Sequence, residues 1–139
     1  MSPPSGKLTS VGLLVLRVGF GIFMLVHGFA KVTNFQAMSE AFPDPIGVGS
    51  TFSLVLAIGA EVGCSLLLIA GLGTRLAVIP LAATMLVALL IVHANDPWQK
   101  KELAALFLTV YAALFFTGGG EFSVDRVLWR RKKGKPGSQ

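Results

Sequence analysis

Charge is scarce in this sequence. Charged residues make up 14% of 139 positions, and hydrophobic residues 53%. A soluble domain carries about 25% charged residues, so a disordered chain is excluded and an ordinary soluble enzyme is disfavoured. Cysteine is nearly absent: Cys64 stands alone and cannot staple a small scaffold. No segment alternates polar and apolar residues, which excludes β-sandwich and α/β readings. No glycine-rich phosphate cradle follows a strand, because Gly118-Gly119-Gly120 follows an apolar helical stretch and reads as its stop. No Cys pair and no Ser/His/Asp arrangement is present to supply redox or nucleophilic chemistry. The net charge of +5 and pI near 9.8 would suit nucleic acid, but the placement argues against it. Arg126, Arg130, Arg131, Lys132, Lys133 and Lys135 hold half of the 12 basic residues. A basic tail after apolar segments reads as a membrane-surface anchor.

What the sequence has is apolar length. Four stretches, 8–32, 51–72, 76–92 and 103–117, stand out against a mean hydropathy of +0.72. A spanning helix needs about 17–25 residues. The first two satisfy this, the third is just long enough, and the fourth is short and draws Glu102 or the 118–120 glycines into the interface. The expected fold is all-α, a four-helix transmembrane bundle. Residues 1–7 are an N-terminal tail, 8–125 the membrane domain and 126–139 a basic cytoplasmic tail. Arg17 interrupts what would be the core of a signal peptide, and the run is too long for one, so the first stretch is expected to stay uncleaved.

The connections order the spans. Gly71-Leu72-Gly73-Thr74-Arg75 is so short that spans two and three are antiparallel neighbours. Asn95-Asp96-Pro97-Trp98 joins three and four, with Pro97 suited to a helix start and Trp98 to an interface. Phe35, Met38 and Phe42 have amphipathic spacing ahead of Pro43-Asp44-Pro45, which predicts a short interfacial helix and a turn. Lys7, Arg75 and the tail cations share one side, while Lys31, Lys100 and Lys101 share the other. The positive-inside rule then puts both termini in the cytoplasm of a multi-pass inner-membrane protein.

Ionisable residues within spans are rare and face the bundle interior. Arg17, His27 and Lys31 lie in the first span. At about 100° per residue they share an arc with Gly21, Met24 and Gly28. Glu61 lies near the middle of the second span between Gly59 and Gly63, a small-xxx-small pair expected to admit a neighbouring backbone. Arg17 is its expected partner in a buried ion pair. That pair either fixes helix register or gives Glu61 a proton-handling or ligand-anchoring role. His27, Lys31, His93, Asn95 and Glu102 fall near the outer interface and form a candidate polar pocket. It suits a quinone head group, a lipid head group or, by chemistry alone, a metal. Zinc needs further ligands. Bis-His haem ligation by His27 and His93 is the disfavoured reading, because two histidines do not establish it. Pro80 is expected to kink span three or end its first turn. Phe107, Phe115 and Phe116 read as packing or lipid contacts.

Taken in order, these segments resemble the DoxX family of small bacterial membrane proteins. The likeness rests on Arg17-Val18-Gly19-Phe20-Gly21, Val26-His27-Gly28-Phe29-Ala30-Lys31, Glu61-Val62-Gly63, Gly71-Leu72-Gly73-Thr74-Arg75-Leu76, Val92-His93-Ala94 and 119–125 (Gly-Gly-Glu-Phe-Ser-Val-Asp). It covers about residues 13–125. It implies a four-helix membrane bundle associated with quinone-linked oxidoreductases and oxidative-stress operons. The family's polar positions fall on Arg17, His27, Lys31, Glu61, Arg75, His93 and Glu102. The leading expectation is a small subunit of a quinone-linked redox system, binding a quinone or similar amphiphile between helices. A soluble or membrane partner subunit would supply electrons, membrane lipids would surround the bundle, and a homo-oligomer is compatible with it. The rivals are a non-enzymatic lipid- or cargo-binding protein and a proton-coupled carrier using Glu61, which with four spans would need an oligomer.

Overall fold

The computed structural model of the chain describes residues 6–134. Residues 1–5 of the N-terminal tail, and 135–139 with the last tail cation Lys135, lie outside the described residues. The fold is all-α, and no strand occurs among the described residues. Helix α1 is Gly6–Thr33 and the short α2 is Phe35–Ser39. Helix α3 is Ser50–Ala70, α4 is Thr74–Val92, α5 is Trp98–Thr117 and α6 is Val124–Gly134. Among the described residues α1, α3 and α4 are long and apolar enough to cross a membrane. Helix α5 has 20 residues, about 30 Å, and opens with Lys100, Lys101 and Glu102. The apolar stretch from 103 understated it, because the helix begins five residues earlier, at Trp98, with Pro97 at the N-cap position. A further helix, α6, starts at Val124.

The long helices close a bundle, with α1 against α3, α3 against α4, α4 against α5 and α5 back against α1. Its core is Met24, Leu68, Val78, Leu81, Met85, Ala104, Phe107, Tyr111 and Leu114. The arc read on α1 is its buried face in part: Ser10, Arg17, Gly21, Met24 and Gly28 are buried, whereas Lys31 is half-buried and His27 exposed. The glycines that permit close approach are on this helix, however, and not on α3. A Cβ at Gly28 would lie 2.8 Å from Val62 Cγ2 and 2.9 Å from Glu61 Cβ, whereas nothing lies within 4 Å of one at Gly59 or Gly63. Residues Gly59–Cys64 are wound as a π-helix, with i→i+5 bonding in place of i→i+4. A second π segment, Ala88–Val92, ends α4.

The expected pairing of Arg17 with Glu61 does not form. Arg17 lies instead at the end where α3 stops. Its Nη1 donates to the Gly119 carbonyl at 3.1 Å and its Nη2 to the Phe122 carbonyl at 2.8 Å. The segment after α5 is pinned there by further bonds. The Glu121 amide donates to Ser10 Oγ at 3.3 Å, and Asp125 accepts from the Gly73 amide at 2.8 Å and the Thr74 amide at 3.1 Å. Asp125 thus caps the start of α4. The Gly-Leu-Gly-Thr-Arg loop and the 119–125 motif are two halves of one structural knot closed over Arg17.

Candidate polar cavity between the helices

At the opposite end, the His27-Gly28-x-x-Lys31 segment works by geometry. Gly28 lets α1 press on the α3 backbone beside Glu61. One turn on, Lys31 reaches the carboxylate, donating to Glu61 Oε1 at 2.9 Å with Nζ 2.8 Å from Oε2. Glu61 is 3% exposed, and Lys31 is half-buried. The sequence order of charge along α1 thus misdirected the pairing: Arg17 is ten residues short of His27 and belongs to the other end.

This pair borders a cavity of about 630 Å³. Four of the six expected site residues line it: His27, Lys31, Glu61 and His93. Arg17 and Glu102 do not. Helix α5 turns Lys100, Leu103, Ala104 and Phe107 to the cavity, an i, i+3, i+4, i+7 face that leaves Glu102 exposed on another side. The walls are otherwise largely apolar, including Met24, Leu56, Ala57, Ala60, Met85 and Ala88. Both π segments contribute, through Ala60 and Glu61 and through Ala88 and Val92. Such bulges recur at functional sites because they re-aim side chains. Pro80 also faces the cavity. It sits inside α4, where it removes one helical donor.

His93 follows the second π segment. Its Nδ1 donates to Asp96 Oδ2 at 2.7 Å, which leaves Nε2 for another partner. The His93 hydrogen bond, with Lys100 and Lys101 nearby, holds the Asp96 carboxyl below its ordinary value. His27 packs edge-on to Phe107 with centroids 6.0 Å apart. The mouth is walled by Phe42, Pro43, Pro45 and Ile46 from the connection between α2 and α3. Asp44 ties that connection down, accepting from the Gly49 amide at 2.7 Å, the Val48 amide at 3.0 Å and Ser53 Oγ at 2.9 Å.

Sequence reasoning missed three contributors. Phe107 is 2% exposed and lines the cavity, so it does more than pack. The 42–46 segment read only as a turn. The π segments leave no mark that helical periodicity could detect. The paired Gly59 and Gly63 were the available hint of irregularity, but they pointed to a different contact.

Comparison with known proteins agrees with this architecture. The DoxX family model matches residues 12–94. A protein of Bacillus subtilis (strain 168) named "Putative oxidoreductase CatD" is 30% identical over 128 residues, covering 91% of this chain and 94% of that protein. No solved structure gives a significant match. The family match spans more than half of the chain and carries the helix with His27, Gly28 and Lys31, the segment with Glu61, and His93: the chain is a membrane protein belonging to the DoxX family.

Proposed function

We propose that the chain is the membrane subunit of a quinone-linked oxidoreductase system and binds a quinone-like amphiphile in this cavity. The observation that carries the reading is the cavity's composition: about 630 Å³ of mainly apolar wall with Lys31, Glu61, His27 and His93 on its lining. Ligand sites are typically apolar clefts with a few orienting polar groups. The name of the Bacillus relative supports the redox assignment. A second space of about 430 Å³ adjoins the first, lined by Phe20, Phe23, Val26, His27, Leu103, Leu106 and Phe107. His27, Leu103 and Phe107 border both spaces, so these three side chains stand between the head-group cavity and an apolar space between α1 and α5.

In this reading Lys31 and His27 donate to carbonyl oxygens of the head group. Glu61 holds the ammonium in place. His93, oriented by Asp96, presents Nε2 as the second imidazole. A bound quinone would accept electrons from a partner protein, while Glu61 and the imidazoles are the groups able to exchange protons with it. The bundle spans the inner membrane in several passes with both termini cytoplasmic, as the tail cations favour. Reporter fusions at the C-terminus test the orientation: an active periplasmic reporter there refutes it.

Binding of a short-chain quinone analogue by purified protein tests the site. His27→Ala and His93→Ala should each weaken binding about ten-fold or more, the worth of one lost hydrogen bond to a buried polar group, with little change in melting temperature. Phe115→Ala should not. Parental affinity in both histidine variants rejects the quinone pocket. Mass spectrometry of the co-purified lipid extract separates the rival: phospholipid without quinone favours a lipid-binding protein, for which the apolar walls are equally suited.

A further inference from the structure

Helix α6 is unlike the helices of the bundle. At about 100° per residue, Val124, Val127 and Leu128 fall on one face, and all three are exposed. Arg131 continues that face one turn on, and Arg130 and Lys132 flank it. Trp129 points the other way. Arg126 lies over its ring at 4.7 Å and Lys133 at 4.2 Å. With Thr74, Arg75 and Asp125 these two residues, Arg126 and Trp129, border a groove at the α3–α4 turn. The carboxylate of Asp125 is taken up by the Gly73 and Thr74 amides. The face turned away from the bundle therefore combines an apolar stripe with cations.

The level of this helix follows from α1. Ser10 accepts from the Glu121 amide at 3.3 Å, and a Cβ at Gly120 would lie 3.2 Å from Leu13 Cδ1. The N-terminal turns of α1 are thus abreast of the segment that starts α6. Those turns expose Leu8 at 75% and Val15 at 65%. In a membrane protein such residues belong to the acyl region, so the hydrocarbon boundary reaches the level at which α6 departs.

We propose that α6 lies in the membrane interface as a receptor for anionic phospholipid headgroups. Val124, Val127 and Leu128 enter the acyl boundary, and Arg130, Arg131 and Lys132 bind the headgroup phosphates. Amphipathic helices with basic flanks bind membranes through this combination of apolar burial and attraction to anionic lipid. The Asp125 cap and the knot over Arg17 fix the helix to the bundle, so lipid charge is sensed at the end opposite the cavity. The inference does not depend on what the cavity binds.

The test places an environment-sensitive dye at Leu128→Cys in a Cys64→Ala background, with a Leu8→Cys protein as depth marker. Each is reconstituted in nanodiscs of phosphatidylcholine or of phosphatidylcholine with phosphatidylglycerol. The Leu8 dye should be quenched by brominated acyl chains in both. The Leu128 dye should be quenched by them, and shielded from acrylamide, in the anionic discs. Adding Arg130→Gln, Arg131→Gln and Lys132→Gln should undo that shielding, each cation being worth about five-fold in the surface-bound ratio. Equal acrylamide access in both lipids overturns the proposal, as does equal shielding in both, which would mean apolar insertion without charge selection. An unquenched Leu8 dye overturns the depth argument. A protein partner that covers α6 in place of lipid would leave the dye accessible in both discs.

Discussion

Arg17 and Glu61 are 1% and 3% exposed, yet the chain surrounds them differently. Arg17 is clamped by the main-chain carbonyls of Gly119 and Phe122, and the loop that supplies them is itself bonded to Ser10 and to the start of α4 through Asp125. Glu61 has one side-chain partner, Lys31, in a π-wound turn beside a cavity. A charge enclosed by fixed carbonyls is a fastener. A charge held by one flexible ammonium at the edge of an empty space can exchange its partner for a ligand. On the proposed function, the two ends of one bundle separate stability from binding.

The comparison breaks most readily at Arg17. Arg17→Met strands two carbonyls and removes the cation that holds the 119–125 segment, at a cost of about 1–3 kcal/mol for each group left unpaired. Thermal unfolding in detergent should show the loss, while the folded fraction keeps its affinity for a quinone analogue. Glu61→Gln should do the reverse, altering affinity more than melting temperature. A double-mutant cycle between the two sites should be additive within about 0.5 kcal/mol. A larger coupling would restore the direct pairing that the sequence suggests and the structure lacks.

Glycines sharpen the contrast next. Gly28→Ala forces a Cβ against Val62 and Glu61, and overpacking of this kind costs about 1–3 kcal/mol. Gly63→Ala meets open space and should stay within about 0.5 kcal/mol of the parent. Equal losses would mean that helix winding, and not the α1–α3 contact, sets the requirement. At the Arg17 end, Asp125→Ala removes the cap from α4, worth about 1 kcal/mol, and should leave analogue binding unchanged.

Most of this fold was legible because apolar length and loop brevity are strong constraints. The 71–75 turn left spans two and three no arrangement but antiparallel packing, and the stripe of Arg17, Gly21, Met24 and Gly28 emerged as the buried face of α1. Three residues of the cavity lining, His27, Lys31 and His93, were legible together, since antiparallel spans bring the ends of α1 and α4 to one depth; Glu61, read near the middle of its span, joins them in the structure. The partners were not. Nothing in the spacing says that the loop after α5 folds back over Arg17, because its carbonyl acceptors belong to every residue type. The sequence places Lys31 near the outer interface by its position in the first span, which hides its reach to Glu61. Glu102 failed for a simpler reason: sharing a depth does not mean sharing a face.

The smallest effect concerns two aspartates that play matching roles at the two ends. Asp125 receives the amides that open α4, and Asp44 receives those of Val48 and Gly49 just before α3. Asp44 is exposed, so its contribution can be titrated. The Gly49 amide foremost holds its carboxyl below the usual range; burial opposes this, and Ser53 Oγ and the Val48 amide add to the lowering. A depressed folded value means the stabilisation is fully present above the unfolded value of about 3.9 and is lost as pH falls through the folded value. The amide resonances of Val48 and Gly49 should therefore be constant from neutral pH down to the ordinary carboxylate range and titrate below it. Asp44→Asn should abolish that titration. Because Phe42, Pro43, Pro45 and Ile46 wall the cavity mouth, Asp44→Ala should also speed dissociation of the quinone analogue at neutral pH, by less than either histidine variant weakens binding. Amides that titrate at the ordinary value would show that the connection is not held by this carboxylate. An unchanged dissociation rate beside a normal titration would show that the mouth is walled without being gated.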